Sequence, residues 1–320
     1  MYRCPFFLLI LLACFFCCDR TLSQSKVANK LREKRVVITF DDLPLNGPQL
    51  KLSRIQAMTE RLTTVVRNRR IPAVGFVNES QLYVDGEMDR RIALLKTWAD
   101  AGVELANHTY SHISFRDSGL EQYQDDFIRG DTAIARLMKQ KGGKVKYFRH
   151  PFLHMGPTEE TERKFERFLT ERGYRIAPMT IDSVDWMILS AYLIAKNQSD
   201  NELARKISMD YLELLDRRFE YSEKAADLLF DRDIPQILLL HANELNADNF
   251  AAVLEVIKRR GYKFVSFDEA IQDPVYGNPP KYTPSSDWLY HWSVSKGKDW
   301  SPPMPPDYIQ KAFNDGQSAK

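Results

Sequence analysis

The chain alternates short apolar runs with longer stretches in which apolar residues recur every three or four positions. The runs at 36–40, 73–77, 103–106, 146–148, 174–177, 237–240 and 263–267 have the length and the β-branched and aromatic content of strands. Between them, 53–70 carries Ile55, Met58, Leu62, Val65 and Val66 on one helical face, with Ser53 as its expected cap. Residues 88–101, 120–141, 158–172 and 247–260 also read as helices, closed by Gly102, Gly142, Gly173 and Gly261. Residues 190–232 form a longer helix-rich stretch, read as an insertion. Seven strands alternating with helices predict parallel βα units. At 320 residues the architecture expected is α/β, a closed or nearly closed (β/α) barrel. An open doubly wound sheet is the alternative, without the Gly-rich loop that its nucleotide-binding form needs after the first strand.

The two ends differ from this pattern. Arg3, the apolar run 6–18 and the small residues near Ser23 predict a secretory signal, residues 1–23, cut before Gln24. Leu11-Leu-Ala-Cys14 resembles a lipoprotein signal instead, with a lipid anchor at Cys14; an uncleaved anchor is the third reading. Either way the protein is expected to be exported: periplasmic, extracellular or held at the cell surface. All four cysteines lie in this segment, so a metal site in the mature chain must use His, Asp or Glu. Residues 24–35 read as a basic tether and 36–272 as the barrel domain. The tail, 273–320, carries Tyr276, Tyr282, Trp288, Tyr290, Trp292 and Trp300 among eight prolines. It is expected to be a strap without regular elements. Its aromatics either cover apolar barrel surface or, through Trp288 or Trp292, reach the rim. A net charge of +2 gives no sign of a nucleic-acid partner.

Barrels of βα units place their chemistry where strands end and loops begin, and the unusual polar residues fall there. Asp41 and Asp42 end the first strand. Two adjacent carboxylates repel, and at a buried strand end they need a compensating cation; a solvated Asp-Asp turn is the other reading. His108 and His112 follow the third strand, and on a helix their spacing puts both rings on one face, as zinc sites require; two surface histidines are the alternative. Two imidazoles and a carboxylate leave open positions for water, the catalytic pattern. Arg149, after the fourth strand, could hold the free aspartate bidentately. Asp182 and Asp185 are site acids or helix caps, and Trp186 is core or a sugar-stacking wall. His241 ends the sixth strand and could be tuned by a carboxylate such as Asp185.

Taken in order, Thr39-Phe-Asp-Asp42, His108-Thr-Tyr-Ser-His112, Arg149-His-Pro-Phe152, Asp182-Ser-Val-Asp-Trp186 and Leu239-Leu-His241 resemble the five motifs of the polysaccharide deacetylases. This is carbohydrate esterase family 4, with its NodB-homology domain. The resemblance covers about 36–272 and implies a distorted (β/α) barrel that hydrolyses N- or O-acetyl groups on carbohydrates. It implies that Asp42, His108 and His112 hold a divalent metal, zinc or else cobalt or another ion. It further implies Asp41 as general base held by Arg149, His241 as general acid oriented by Asp185, the Phe152 backbone N–H as oxyanion donor, and Trp186 and Leu239 beside the substrate. An acetylated carbohydrate is thus the expected partner. Two other functions remain open: an amidase for small non-sugar amides, and a carbohydrate-binding protein with an idle site. The chain departs from the family in reading Leu153-His154-Met155-Gly156 after Phe152, and in the length between Trp186 and His241.

Overall fold

The computed structural model describes Met1 and residues 33–277 and 281–318. The expected signal, the Cys14 anchor and most of the tether lie outside the described residues. Among the described residues no helix is long and apolar enough to cross a membrane.

The strands are β1 (Arg35–Leu43), β2 (Ala73–Val77), β3 (Val103–Asn107), β4 (Tyr147–Phe148), β5 (Arg175–Ile176), β6 (Ile181–Asp182), β7 (Gln236–His241) and β8 (Lys263–Phe264). They pair in parallel in the order β5-β4-β3-β2-β1-β7-β6, with β8 beside the start of β1. The two edge strands are neighbours in sequence: β5 ends at Ile176 and β6 begins at Ile181. Five peptide steps reach about 18 Å at most, so the edges lie close and the sheet curls into a distorted barrel. The unforeseen strand β6 explains why the expected fifth strand is shorter than its apolar run. The chain leaves the sheet at Ala177 and rejoins it at Ile181.

Side-chain alternation sorts the strands into two layers. Val36, Ile38 and Phe40 of β1, Leu105 of β3 and Leu238 and Leu240 of β7 face the outer helices. Val37, Val74, Phe76, Ala106, Ile237 and Leu239 form the second layer, the barrel interior, where they meet the tail. Helix α1 (Leu52–Arg69) buries Leu52, Ile55, Met58, Leu62 and Val66; Ser53 lies within it, and no side chain caps its start. Helix α2 is Met88–Asp100. The helix expected over 120–141 is two, α3 (Leu120–Arg129) and α4 (Thr132–Gln140). Gly130 sits at the break because a Cβ there would come within 2.5–2.8 Å of the Thr109 and Tyr110 backbone. Helix α5 is Glu159–Glu171.

The stretch expected as an insertion is the crossover from β6 to β7, made of α6 (Asp185–Asn197) and α7 (Asn201–Phe230). Helix α8 (Glu244–Arg259) follows β7, and the short α9 (Phe267–Ala270) follows β8.

The tail corrects an expectation. It holds two helices, α10 (Trp288–Ser295) and α11 (Asp307–Ser318). No proline falls between 285 and 301, and the Asp287 carboxylate accepts the Tyr290 N–H at 3.1 Å, so the sequence there does start and sustain a helix. Before α10 the tail closes the seam between the sheet edges. Ser286 N–H donates to Leu153 O (2.9 Å) and Trp288 N–H to Met179 O (2.8 Å). Trp288 is buried and donates its indole N–H to Val275 O, while Trp292 packs edge-on to Phe230. Neither of these tryptophans lines the cleft at the rim; Phe313 and Gln317 of α11 do.

Candidate active site

Strict alternation along β1 would turn Asp41 inward and Asp42 outward. Instead the pairing of β1 with β2 slips between Phe40 and Leu43, and Asp42 adopts a left-handed backbone, φ 60°. A bulge of this kind re-aims a side chain, and here both carboxylates line one cleft of about 600 Å³. Thr109, His112, Phe152, Leu153 and Val184, all around the same rim, are also left-handed, at φ 57–66°. Such conformations cost about 1–3 kcal/mol each and persist where surrounding packing dictates them.

Asp42, His108 and His112 offer three ligand atoms that all lie within 4.8 Å of one another. Asp42 Oδ1 is 3.5 Å from His108 Nε2 and 3.2 Å from His112 Nε2. The histidines are not on a helix, as their spacing had suggested. They sit on a loop whose two left-handed residues, Thr109 and His112, turn the rings together. That loop is pinned by Asn78 Nδ2 donating to His108 O (2.7 Å) and by the Ser111 N–H and hydroxyl donating to Asp126.

Three features suit a cation. Asp42 Oδ1 is buried without a hydrogen-bond partner, while its other oxygen accepts from Asn46 Nδ2 at 2.7 Å. His108 Nδ1 lies 2.8 Å from Arg149 O and, donating to that carbonyl, leaves the Nε2 lone pair facing Asp42. Burial holds His108 down at about 4, against the pull of Asp41, so its ring is neutral. Burial alone would push Asp42 up, but the surrounding imidazoles, His112 foremost, hold it well below the usual carboxylate range. A carboxylate and two imidazoles, closed around a shared point, fit a divalent ion such as zinc.

Asp41 faces the same point from the other side. Its Oδ2 is 3.9 Å from His108 Nε2, and its Oδ1 accepts from Arg149 Nη1 at 2.7 Å. The arginine is fully buried and not bidentate. It shares Nη1 with Thr39 Oγ1 (2.7 Å) and sends Nε to Ala177 O (3.3 Å) and Nη2 to Pro178 O (3.1 Å). It therefore ties the end of β1 to the seam between β5 and β6, with its plane over the Phe76 ring at 4.3 Å.

His241 ends β7 beside Asp41 of β1. Its Nδ1 lies 2.6 Å from Asp185 Oδ1, and its backbone N–H donates to Asp185 Oδ2 at 2.7 Å. Asn246 Nδ2 donates to the same carboxylate, and Asn243 Nδ2 lies 3.3 Å from it. Burial disfavours a charge on the His241 ring, but the Asp185 carboxylate, with smaller pulls from Asp42 and Asp41, raises it to about 10. A bound cation would cancel the last two contributions. Asp182 lies in the cleft wall and caps the next turn, accepting the Val184 N–H at 2.8 Å. Leu239 also lines the cleft. Phe152 is 57% exposed and meets the His112 ring edge-on at 4.4 Å. Trp186, 37% exposed, meets Phe313 of the tail at 5.2 Å.

Sequence reasoning missed Asn46, Asn246 and Phe313, and took His154 only as structural or groove-lining. The asparagines act through hydrogen bonds across loops, which no spacing reveals. His154 lines the cleft and is held by Ser114 Oγ at 2.9 Å. The only signal for Phe313 is the helical spacing Ile309–Ala312–Phe313.

Comparison with known proteins bears on the fold. A peptidoglycan-N-acetylglucosamine deacetylase of Bacillus cereus is 24% identical over 176 residues, 55% of this chain and 55% of that protein. The chain thus spans about half the length of that relative. A CE4-family pseudoenzyme from Bacillus anthracis superposes with a TM-score of 0.52 at 15% identity, covering 75% of this chain and 66% of that one. A mutant of it with restored enzymatic activity gives 0.52 at 16% identity, covering 75% and 68%. These likenesses are of fold. The polysaccharide deacetylase model matches residues 28–166, which hold the acid pair of β1, the His108–His112 loop and Arg149. That match covers 139 of the 320 residues, and over that segment the chain resembles the polysaccharide deacetylase family.

Proposed function

We propose that this protein is a metal-dependent hydrolase that removes acetyl groups from carbohydrates outside the cytoplasm. The observation that carries the reading is the meeting, in one cleft, of the Asp42–His108–His112 cluster with Asp41 on Arg149 and His241 on Asp185. A carbohydrate-binding protein has no use for a buried base and a charged imidazole in the same cleft as a cation cluster. The Bacillus cereus relative acts, by its name, on an N-acetylglucosamine of peptidoglycan, which puts amide-linked acetyl groups on sugars first among the substrates to test.

Asp42, His108 and His112 would hold the ion. Bound there, it would polarise the acetyl carbonyl and make water more acidic. Asp41, held by Arg149, takes a proton from the attacking water as its oxygen bonds to the acetyl carbon. The Phe152 backbone N–H is the proposed donor to the oxygen that gains charge. Collapse breaks the carbon–nitrogen bond of an amide, or the carbon–oxygen bond of an ester. His241 gives its Nε2 proton to the departing atom, while Asp185 holds Nδ1 and the positive charge. The products are acetate and the free amine or hydroxyl, and the proton on Asp41 returns to solvent.

The test is acetate release from chitin oligomers, peptidoglycan glycan strands and acetylated xylan by zinc- or cobalt-loaded protein. Asp41→Asn should keep its metal and lose turnover by about 10²–10⁴. Metal loss in Asp41→Asn would reassign the two acids. No acetate from any acetylated glycan would sink the reading in favour of an amidase for non-sugar amides or an idle site.

A further inference from the structure

We propose that the C-terminal helix α11 builds a sugar-ring subsite of this cleft, selective for uncharged acetylated glycans. The proposal rests on the deacetylase reading above and says which part of the chain sets its substrate. Helix α11 lies against α6, and the two supply one wall of the cleft: Trp186, Leu189, Ser190 and Leu193 from α6, Phe313 and Gln317 from α11. All six of these residues lie beyond residue 166, where the family match ends.

The wall is apolar in its middle and polar at its edge. The edge-to-face pair of Phe313 and Trp186 presents a ring surface suited to the C–H face of a pyranose, with Ser190 and Gln317 within the same wall for its hydroxyls. Charge narrows the occupant. Among the described residues, the ionisable groups lining the cleft are Asp41, Asp42, Asp182 and histidines, with no lysine or arginine. A sugar carboxylate or phosphate at this wall would meet the Asp182 carboxylate with no lysine or arginine in the lining, since Arg218 lies behind Asp182 on its backbone carbonyl and His241 is across the cleft floor at β7; a neutral sugar would meet no such repulsion.

The helix does not depend on Phe313 for its place. Ile309 is fully buried in the main core, with Tyr308 and Ala312 packed against that core. The Tyr308 hydroxyl donates to Asp210, and Lys206 lies 4.2 Å over the Tyr308 ring. Substitution at 313 therefore probes the wall while leaving the anchor.

The experiment compares zinc-loaded full-length protein with Phe313→Leu, which keeps apolar packing without the ring, and Phe313→Tyr, which keeps the ring. Substrates are a neutral N-acetylglucosamine tetramer, a glycan of equal length bearing lactyl carboxylates, and p-nitrophenyl acetate, too small to reach the wall. Phe313→Leu should raise KM for the neutral tetramer about 3- to 10-fold, the scale of one lost ring contact. Its kcat and its rate on p-nitrophenyl acetate should not change, and Phe313→Tyr should match the parent. The parent should prefer the neutral tetramer to the carboxylate-bearing glycan. Unchanged KM in Phe313→Leu, equal use of both glycans, or an effect that follows acyl length on N-butyryl analogues would overturn the proposal. If the parent releases no acetate at all, the deacetylase reading fails. Calorimetric binding of the deacetylated tetramer to parent and Phe313→Leu then decides the wall separately: equal affinities overturn it, weaker binding by the variant supports it.

Discussion

Replacing Arg149 by methionine removes a cation that is fully buried and keeps most of its volume. It leaves the Asp41 carboxylate, itself buried, without its 2.7 Å partner, and it strips donors from Thr39 Oγ1, Ala177 O and Pro178 O. Breaking one side of a buried pair costs about 3–5 kcal/mol, chiefly because a charge is left uncompensated. The lost bonds to the two carbonyls belong to the same event and are not added to it. Against a typical stability of about 5–15 kcal/mol this is a large fraction. Urea unfolding followed by circular dichroism at pH 7 reads it directly. The double variant Arg149→Met with Asp41→Asn supplies the control: with the stranded charge removed, about 2 kcal/mol or more of the loss should return. A single-variant loss below about 1 kcal/mol, or a double variant no more stable than the single, would refute the view that this pair ties β1 to the barrel seam.

Two further outcomes follow from the site and its supports. His108→Ala should bind zinc at least about tenfold more weakly by equilibrium dialysis; unchanged affinity would remove His108 from the ligand set. Glu79, fully buried, accepts the Ala133 N–H (2.6 Å) and the Ile134 N–H (2.9 Å) at the start of α4, and burial, only partly offset by those bonds, pushes it up to about 7. An acid whose folded pKa is raised holds its proton longer when folded, so stability falls as pH rises from the unfolded value near 4.5 towards 7. Glu79→Gln should flatten that slope in urea titrations between pH 4.5 and 7.5; an unchanged slope would mean that Glu79 is not its source.

The strand–helix alternation was legible because burial on both faces of a parallel strand leaves an apolar run, and burial on one face leaves a 3.6-residue stripe. That local chemistry placed β1, β2, β3 and β7 close to their observed bounds and put Asp41, Asp42, His108, Arg149, Asp185 and His241 at strand ends. It could not find β6, because two residues carry no period. It joined α3 to α4 because the cause of the break, the Thr109–Tyr110 backbone against Gly130, comes from another part of the chain. It also missed α10, where an Asp cap and a proline-free stretch outweighed the prolines on either side.

The sequence by itself determined which residues could do chemistry and on which end of the barrel they lie. Tertiary structure decided how they face one another. The β1 bulge turns Asp42 to the side of Asp41, a loop rather than a helix brings His108 to His112, and two separate segments, β1 and residues 177–178, share the donors of Arg149. Those outcomes depend on contacts between positions more than a hundred residues apart, such as Arg149 with Asp41. The placement of Phe313 over the cleft is of the same kind: its helix is written locally, but the surface it meets is made by α6.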